Sequence, residues 1–170
     1  HRFFWPLAAA GLAGLLAGLT FGWGLWRPAR DNGPPPARTV RITRDGKSIT
    51  PVLSPDGKLV AYASRRSGGA NPDIYVQQFY GGGTVRLTDS PGYDGLPYFS
   101  ADGSKVYFTS ARPPAGIYEV SILGGDARLV VAGATTPVPS PDGKWLAYLR
   151  EGNVLVRALG GGEEHIVGRN

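Results

Sequence analysis

Hydrophobic and polar residues alternate along this chain in two different ways. From Phe3 to Trp26 the sequence FFWPLAAAGLAGLLAGLTFGWGLW holds twenty-four residues without a charge, bounded by Arg2 and Arg27. From about residue 37 onward, apolar residues come in runs of four to seven between Gly, Pro and Asp, the spacing of short strands and tight turns.

One pattern occurs three times in this second region. It reads SPDGKLVAYAS from Ser54, SADGSKVYFTS from Ser100 and SPDGKWLAYLR from Ser140, with starts 46 and 40 residues apart. A second apolar run follows each copy: DIYVQQF (73–79), GIYEVSI (116–122) and NVLVRAL (153–159). Glycines then cluster at 81–83, 124–125 and 160–162, ahead of VRLT (85–88), ARLV (127–130) or EHIV (164–167). With PVLS, PYFS and PVPS before the turns, each copy predicts a four-stranded antiparallel unit.

In each first hairpin an Asp-Gly pair supplies the turn, at Asp56-Gly57, Asp102-Gly103 and Asp142-Gly143, because glycine takes positive φ without steric cost. Pro55 and Pro141 preset the preceding torsion, and Ala101 departs from them. Along LVAYAS, Val60, Tyr62 and Ser64 face one side while Leu59, Ala61 and Ala63 face the other. Such a strand must be covered on both faces, and stacking like units provides the cover. The fold class is therefore all-β: a partial β-propeller of three four-stranded blades, about 51–88, 97–130 and 137–167. ARTVRIT (37–43) matches the last element of a unit and is expected to form one N-terminal outer strand. Propellers close with about four to eight blades, so the protein is expected to continue beyond Asn170. A chain that starts at His1 with no methionine anywhere is expected to be a fragment.

The uncharged run, as a helix, spans about 36 Å against a hydrocarbon core of about 30 Å. Phe3, Phe4 and Trp5 sit at one boundary and Trp23 and Trp26 at the other, where aromatic rings favour the headgroup level. This predicts a transmembrane helix over 3–26 with the lipid bilayer as its partner. Gly14, Gly18 and Gly22 give it a smooth face for weak self-association. Residues 27–36 form a Pro-rich juxtamembrane linker, stiffened by three successive prolines. Arg27, Arg30, Arg38, Arg41 and Arg44 lie just behind the helix, which by the positive-inside rule puts the C-terminal side in the cytoplasm; only one flank enters that count.

The repeats resemble the WD40-like, PD40 repeats of the periplasmic TolB family. That consensus runs SPDGK, an AF or AY strand, S-x-R, IY, GG and RLT. Here it corresponds to Ser54 to Lys58, Ala61-Tyr62, Ser64-Arg65, Ile74-Tyr75, Gly81-Gly82 and Arg86-Leu87-Thr88. The second copy keeps Asp102-Gly103, Arg112, Ile117-Tyr118 and Gly124-Gly125. The third keeps SPDGK but has Val154-Leu155 for IY and a shortened central hairpin at Glu151-Gly152-Asn153. The order of span, linker and repeats also resembles the C-terminal region of bacterial transmembrane serine/threonine protein kinases and of membrane-anchored winged-helix regulators. Those resemblances imply a single-pass protein of the bacterial inner membrane. Its extracytoplasmic propeller would be an interaction or sensor module in signal transduction, and on topology we follow the resemblance against the one-flank charge count. The alternative they leave open is the substrate-gating propeller of a prolyl oligopeptidase-like serine peptidase, with its catalytic domain beyond Asn170.

Charge and composition narrow the chemistry. Residues 1–50 hold seven basic and two acidic side chains, the whole of the +5 formal charge, whereas residues 51–170 hold eleven of each. No basic stripe exists to release counterions from nucleic acid, and no nucleic-acid partner is expected. Cysteine is absent, which excludes disulfides and thiolate metal sites. His165 is the one histidine of the repeat region and no G-x-S-x-G elbow occurs, so no catalytic residue is expected. GKS at 46–48 has Arg41 where a phosphate loop needs its first glycine. Asp56, Asp102 and Asp142 are followed by Lys58, Lys105 and Lys144, which suits turn formation and not calcium. Neither cofactor nor metal is expected. The candidate contact residues are Arg65, Arg66, Arg112 and Tyr93, the last in TDSPGYDG (88–95), because they lie in the longer connections of a rigid scaffold. A protein or small ligand is the partner they would meet. Arg65 and Arg112 recur in equivalent connections, which equally suits a part in blade architecture.

Overall fold

Each first hairpin closes around one serine. Ser54 Oγ donates to Asp56 Oδ1 (2.7 Å) and accepts the Leu59 N–H (2.9 Å), while Asp56 Oδ1 also accepts the Lys58 N–H (3.1 Å). Ser100 with Asp102, and Ser140 with Asp142, repeat the arrangement. Gly57, Gly103 and Gly143 hold φ of 69°, 70° and 70°, which leaves glycine as the residue each turn requires.

A computed structural model describes residues 39, 41–44 and 46–169. The expected span at 3–26, its glycine face and the linker at 27–36 lie outside them. No helix among the described residues is long and apolar enough to cross a membrane. The regular structure of the described residues is all β. Strands β1 (Ser48–Leu53), β2 (Leu59–Ser64), β3 (Asp73–Gln78) and β4 (Thr84–Arg86) form the first blade; β5 (Asp94–Phe99), β6 (Lys105–Ser110), β7 (Gly116–Ser121) and β8 (Arg128–Ala132) the second; β9 (Thr135–Pro139), β10 (Trp145–Arg150), β11 (Asn153–Ala158) and β12 (Glu164–Arg169) the third. Every blade is an antiparallel meander with its strands in chain order.

The first strand of each blade starts before the proline at which the sequence suggested a start. Thr50, Leu96 and Thr136 each precede a proline and hold φ of 49°, 52° and 56°. The ladder shifts register at the same places, between Ile49 and Val52 and between Gly95 and Tyr98, with the third shift opposite Ala147 and Leu149. A non-glycine residue in the left-handed region costs energy, so these three bulges are a device repeated once per blade. Of the expected outer strand at 37–43, the described residues 39 and 41–43 form no ladder, and the others lie outside the described residues. A strand exists only with a hydrogen-bonding neighbour, and none among the described residues lies outside Ile42. That side chain nonetheless packs on Val60, Tyr62 and Tyr75.

Burial follows the alternation. Val60 and Tyr62 share one cluster on the outward face of the first blade, whereas Ala61 and Ala63 join Ile74, Leu87, Phe99, Val106 and Phe108 between the first and second blades. A third cluster, with Ile117, Val131, Leu146, Tyr148 and Leu155, joins the second and third. Strand β5 packs on β1, β2 and β3, and β9 on β5, β6 and β7, so the leading strand of each blade fits against the blade before it.

Candidate functional site

Because each blade is an up-and-down meander, its connections segregate to two ends. The Asp-Gly turns and the glycine-rich β3–β4, β7–β8 and β11–β12 turns lie at one end. The β2–β3, β4–β5, β6–β7 and β8–β9 connections lie at the other. Arg65, Arg66, Tyr93 and Arg112 are all at this second, loop end, while Asp56, Asp102 and Asp142 with their glycines are at the turn end.

Arg112 is the most constrained of the four. Its Nη2 meets Asp94 Oδ2 at 2.6 Å, with the Asp94 side chain 0% exposed, and its Nε donates to Ser110 Oγ (2.9 Å), which in turn donates to Asp94 Oδ1 (2.6 Å). The guanidinium lies over the Phe108 and Tyr118 rings at 5.5 and 5.0 Å, a favourable placement for a planar cation. It ties the start of β5, the end of β6 and β7 into one unit.

The equivalent in the first blade is Arg66 and not Arg65, a correction to the sequence alignment. Arg66 N–H and Arg112 N–H each bond the serine two residues back, Ser64 and Ser110, and Arg66 lies over Tyr62 and Tyr75 at 5.5 and 5.3 Å. Ser48 stands opposite Ser64 where Asp94 stands opposite Ser110. Arg65 is left exposed, its carbonyl accepting from Gly68 N–H (3.1 Å). Tyr93 is half-buried and lies across Gly95: a Cβ added there would collide with the tyrosine ring and its oxygen. In the third blade the stacking cation is Arg150, 5.4 Å over Tyr148 and paired with Glu164 at 2.6 Å. It occupies the strand position of Ser64 and Ser110, so the S-x-R signature misses it; the arginine two residues after a buried tyrosine is the signal that finds it.

Beside Arg65 and Arg66, the 67–73 and 86–91 segments enclose a cleft of about 520 Å³. Arg86 crosses it, with Nη2 2.7 Å from Asp73 Oδ2 and 2.6 Å from Asp89 Oδ1. Burial works against the Arg86 charge, but the Asp73 carboxylate outweighs it and raises the arginine above its ordinary value. Ser67 Oγ donates to Asp73 Oδ2 (3.0 Å), and Asn71 Nδ2 to the Pro91 carbonyl (2.7 Å), which fixes the rim. The sequence pattern gave no notice of the Asp73–Arg86 and Asp94–Arg112 pairs, whose members are 13 and 18 residues apart.

At the turn end the Ser54 and Ser100 hydroxyls, aided by backbone N–H groups of Lys58 and Ser104, hold Asp56 and Asp102 down to about 2; Ser140 lowers Asp142 in the same way. These carboxylates are ionised turn fasteners. Among the described residues, no three His, Asp or Glu side chains are grouped to hold a metal ion. The loop end presents fixed guanidinium groups, an aromatic ring and a polar cleft.

A dipeptidyl-peptidase 5 of Porphyromonas endodontalis is 42% identical over 66 residues, 35% of this chain and 10% of that protein. A TolB homologue of Chlorobium chlorochromatii is 36% identical over 75 residues, 44% of this chain and 16% of that protein. A solved TolB-type structure from Agrobacterium tumefaciens superposes with a TM-score of 0.65 at 26% identity, covering 73% of this chain and 50% of that one. The chain therefore spans half or less of the length of each of these proteins. The TolB beta propeller domain, PD40, matches residues 36–167, and the chain belongs to that family.

Proposed function

We propose that this chain is the recognition propeller of a membrane-tethered bacterial signalling protein. Residues 3–26 anchor it, and its loop end meets a protein or small ligand outside the cytoplasm. The observation that carries the recognition reading is the gathering of Arg65, Arg66, Tyr93 and Arg112 at one end, beside a cleft of about 520 Å³. Groups placed by ion pairs and ring contacts lose little entropy on binding. The anchor is supported by the uncharged run and its aromatic boundaries, and the effector, a serine/threonine kinase or a winged-helix domain, precedes His1.

Two measurements on the full-length protein test this. Alkaline phosphatase fused after Asn170 is active if the propeller is extracytoplasmic, and inactivity there overturns the topology. A photo-crosslinking residue at Tyr93 captures the partner while the same residue at Leu123, on the turn end, does not; capture at Leu123 alone overturns the choice of end.

The similarity to a dipeptidyl-peptidase favours a second reading, a propeller that gates substrate entry to a serine peptidase domain beyond Asn170. Covalent labelling of the full-length protein by a fluorophosphonate distinguishes it from a kinase, which instead incorporates phosphate from ATP.

A further inference from the structure

We propose that the groove between the second and third blades, near the turn end, binds a ligand carrying both a carboxylate and an ammonium group, the chemistry shared by short peptides and free amino acids. This goes beyond the loop-end reading and does not depend on the membrane tether.

Four positions differ in kind between the first two blades. On its face toward the second blade, the first blade presents Leu59, Ala61 and Val76, with Val85 paired to Val76. The matching positions of the second blade, on its face toward the third, are Lys105, Tyr107, Glu119 and Arg128, with Arg128 paired to Glu119. Glu119 is 10% exposed in its side chain, and its Oε1 accepts from Lys105 Nζ (3.2 Å) and from Arg128 Nε (3.1 Å) and Nη2 (2.6 Å). Two cations thus share one carboxylate oxygen and remain 45% and 76% exposed. Here they border a cavity of about 420 Å³.

The same cavity has an acidic side. Asp102 and Asp142 both line it, and the Val130 and Leu159 side chains add apolar wall. Asp142 is exposed and takes its turn bonds through Oδ1 alone. A carboxylate on Lys105 and Arg128, an ammonium toward Asp142 and a small apolar body between them satisfy all three surfaces. An Arg is well suited to the carboxylate because it presents donors in a fixed fork.

The mouth exists because the repeat is broken there. Pro55 lies against Gly103, 3.7 Å from where a Cβ would stand, and only the Ala101 methyl lies in the corresponding place against Gly143, at 3.3 Å. Ala101 is also part of the cavity wall. The blade whose turn lacks proline is therefore the blade that borders the groove.

Calorimetric titration of the full chain, held in detergent micelles, with trialanine tests the assignment. Trialanine is expected to bind with a Kd at or below about 1 mM, and N-acetylation or C-terminal amidation each to weaken it about tenfold. Arg128→Ala and Asp142→Asn, both at exposed side chains, are expected to do likewise, while Ala101→Pro restores the residue of the other two turns and narrows the mouth with the fold kept. Alanine binding as tightly as trialanine identifies amino acids as the ligand, and weaker binding identifies peptides. No heat with either, or binding indifferent to end-blocking and to Arg128→Ala, overturns the proposal. Capture at Tyr93 is unaffected by this result, so the two proposals fail separately.

Discussion

The two inter-blade interfaces differ more than the repeat suggests. Between the first and second blades the contact is apolar along its length, from Leu87 and Phe99 through Phe108 and Tyr118 to Val76 and Val120. Between the second and third it is apolar only toward the loop end, around Ile117, Val131, Leu146 and Tyr148, and charged toward the turn end. A propeller needs each blade face covered, but not every position of each face. Once half an interface is dry, the remainder is free to carry polar groups, provided they satisfy one another. Glu119 shows the condition at work: burial pushes its carboxyl up, and the Arg128 and Lys105 donors more than reverse this, so it sits below its ordinary value. Tyr107 beside it is pushed up by burial and then by the Glu119 charge.

The largest expected effect breaks the apolar interface. Phe108 is 0% exposed and lies under the Arg112 guanidinium, so Phe108→Ala removes core volume and a ring contact together. We expect a loss of about 3–5 kcal/mol in chemical denaturation of the full chain. A loss below about 1 kcal/mol would show that the first interface is not a packed core.

The polar interface predicts the opposite sign. Converting Lys105→Leu, Glu119→Val and Arg128→Val together gives three of the four replaced positions of the second blade the residues of the first, with Tyr107 kept. Exchange of a partly buried ion network for apolar contact is often neutral or stabilising, and since Arg128 is largely exposed the expected gain is about 1 kcal/mol, measured as a shift in denaturation midpoint. Binding of trialanine is lost in the same variant. Clear destabilisation would mean that the charged groove holds the blades together.

How much of this was legible beforehand varies with the range of the forces involved. The Asp-Gly turns were visible in the sequence because both their residues and their physics are local. The bulges at Thr50, Leu96 and Thr136 were not, since a residue before proline ordinarily favours extended backbone and only the completed ladder holds it at positive φ. Arg65 was set opposite Arg112, although the spacing that places Arg112 two residues after Ser110 falls on Arg66 two residues after Ser64, so here the sequence did carry the signal. Glu119 sits in GIYEVSI where an exposed strand residue would also sit, and its burial depends on a blade whose sequence begins sixteen residues later. Loop-end clustering of the candidates followed directly from the predicted meander.

A smaller effect probes the seam itself. Thr136 N–H donates to Thr109 Oγ1 of the neighbouring blade at 3.0 Å, which satisfies the amide of a strained residue. The position matching Thr109 in the first blade is Ala63, with no hydroxyl to offer. Thr109→Val keeps the shape and removes the acceptor, at an expected cost of about 1 kcal/mol. Thermal denaturation that shows no change would assign that amide another partner and remove the seam's distinction.

The smallest expected effect is a dependence on acid, and it separates what the interfaces share from what they do not. Asp56 and Asp102 are held at about 2 in the folded protein, against about 3.9 for an unconstrained aspartate. A depressed folded value means that the carboxylate contributes stability above the unfolded value, and that this contribution is lost as pH falls through the folded one. Stability is therefore expected to decline between about pH 4 and pH 2, with Glu119, also depressed, adding to the decline at the second interface alone. Both aspartates are exposed, so their part is small. Ser54→Ala and Ser100→Ala remove the hydroxyl donors and should flatten the turn contribution at both interfaces, whereas the triple replacement at 105, 119 and 128 should flatten only the groove's. Denaturation midpoints measured across that range decide it: if the triple variant keeps the full acid slope, the Glu119 network contributes nothing to folding and the groove's charges are held solely by the apolar half beneath them.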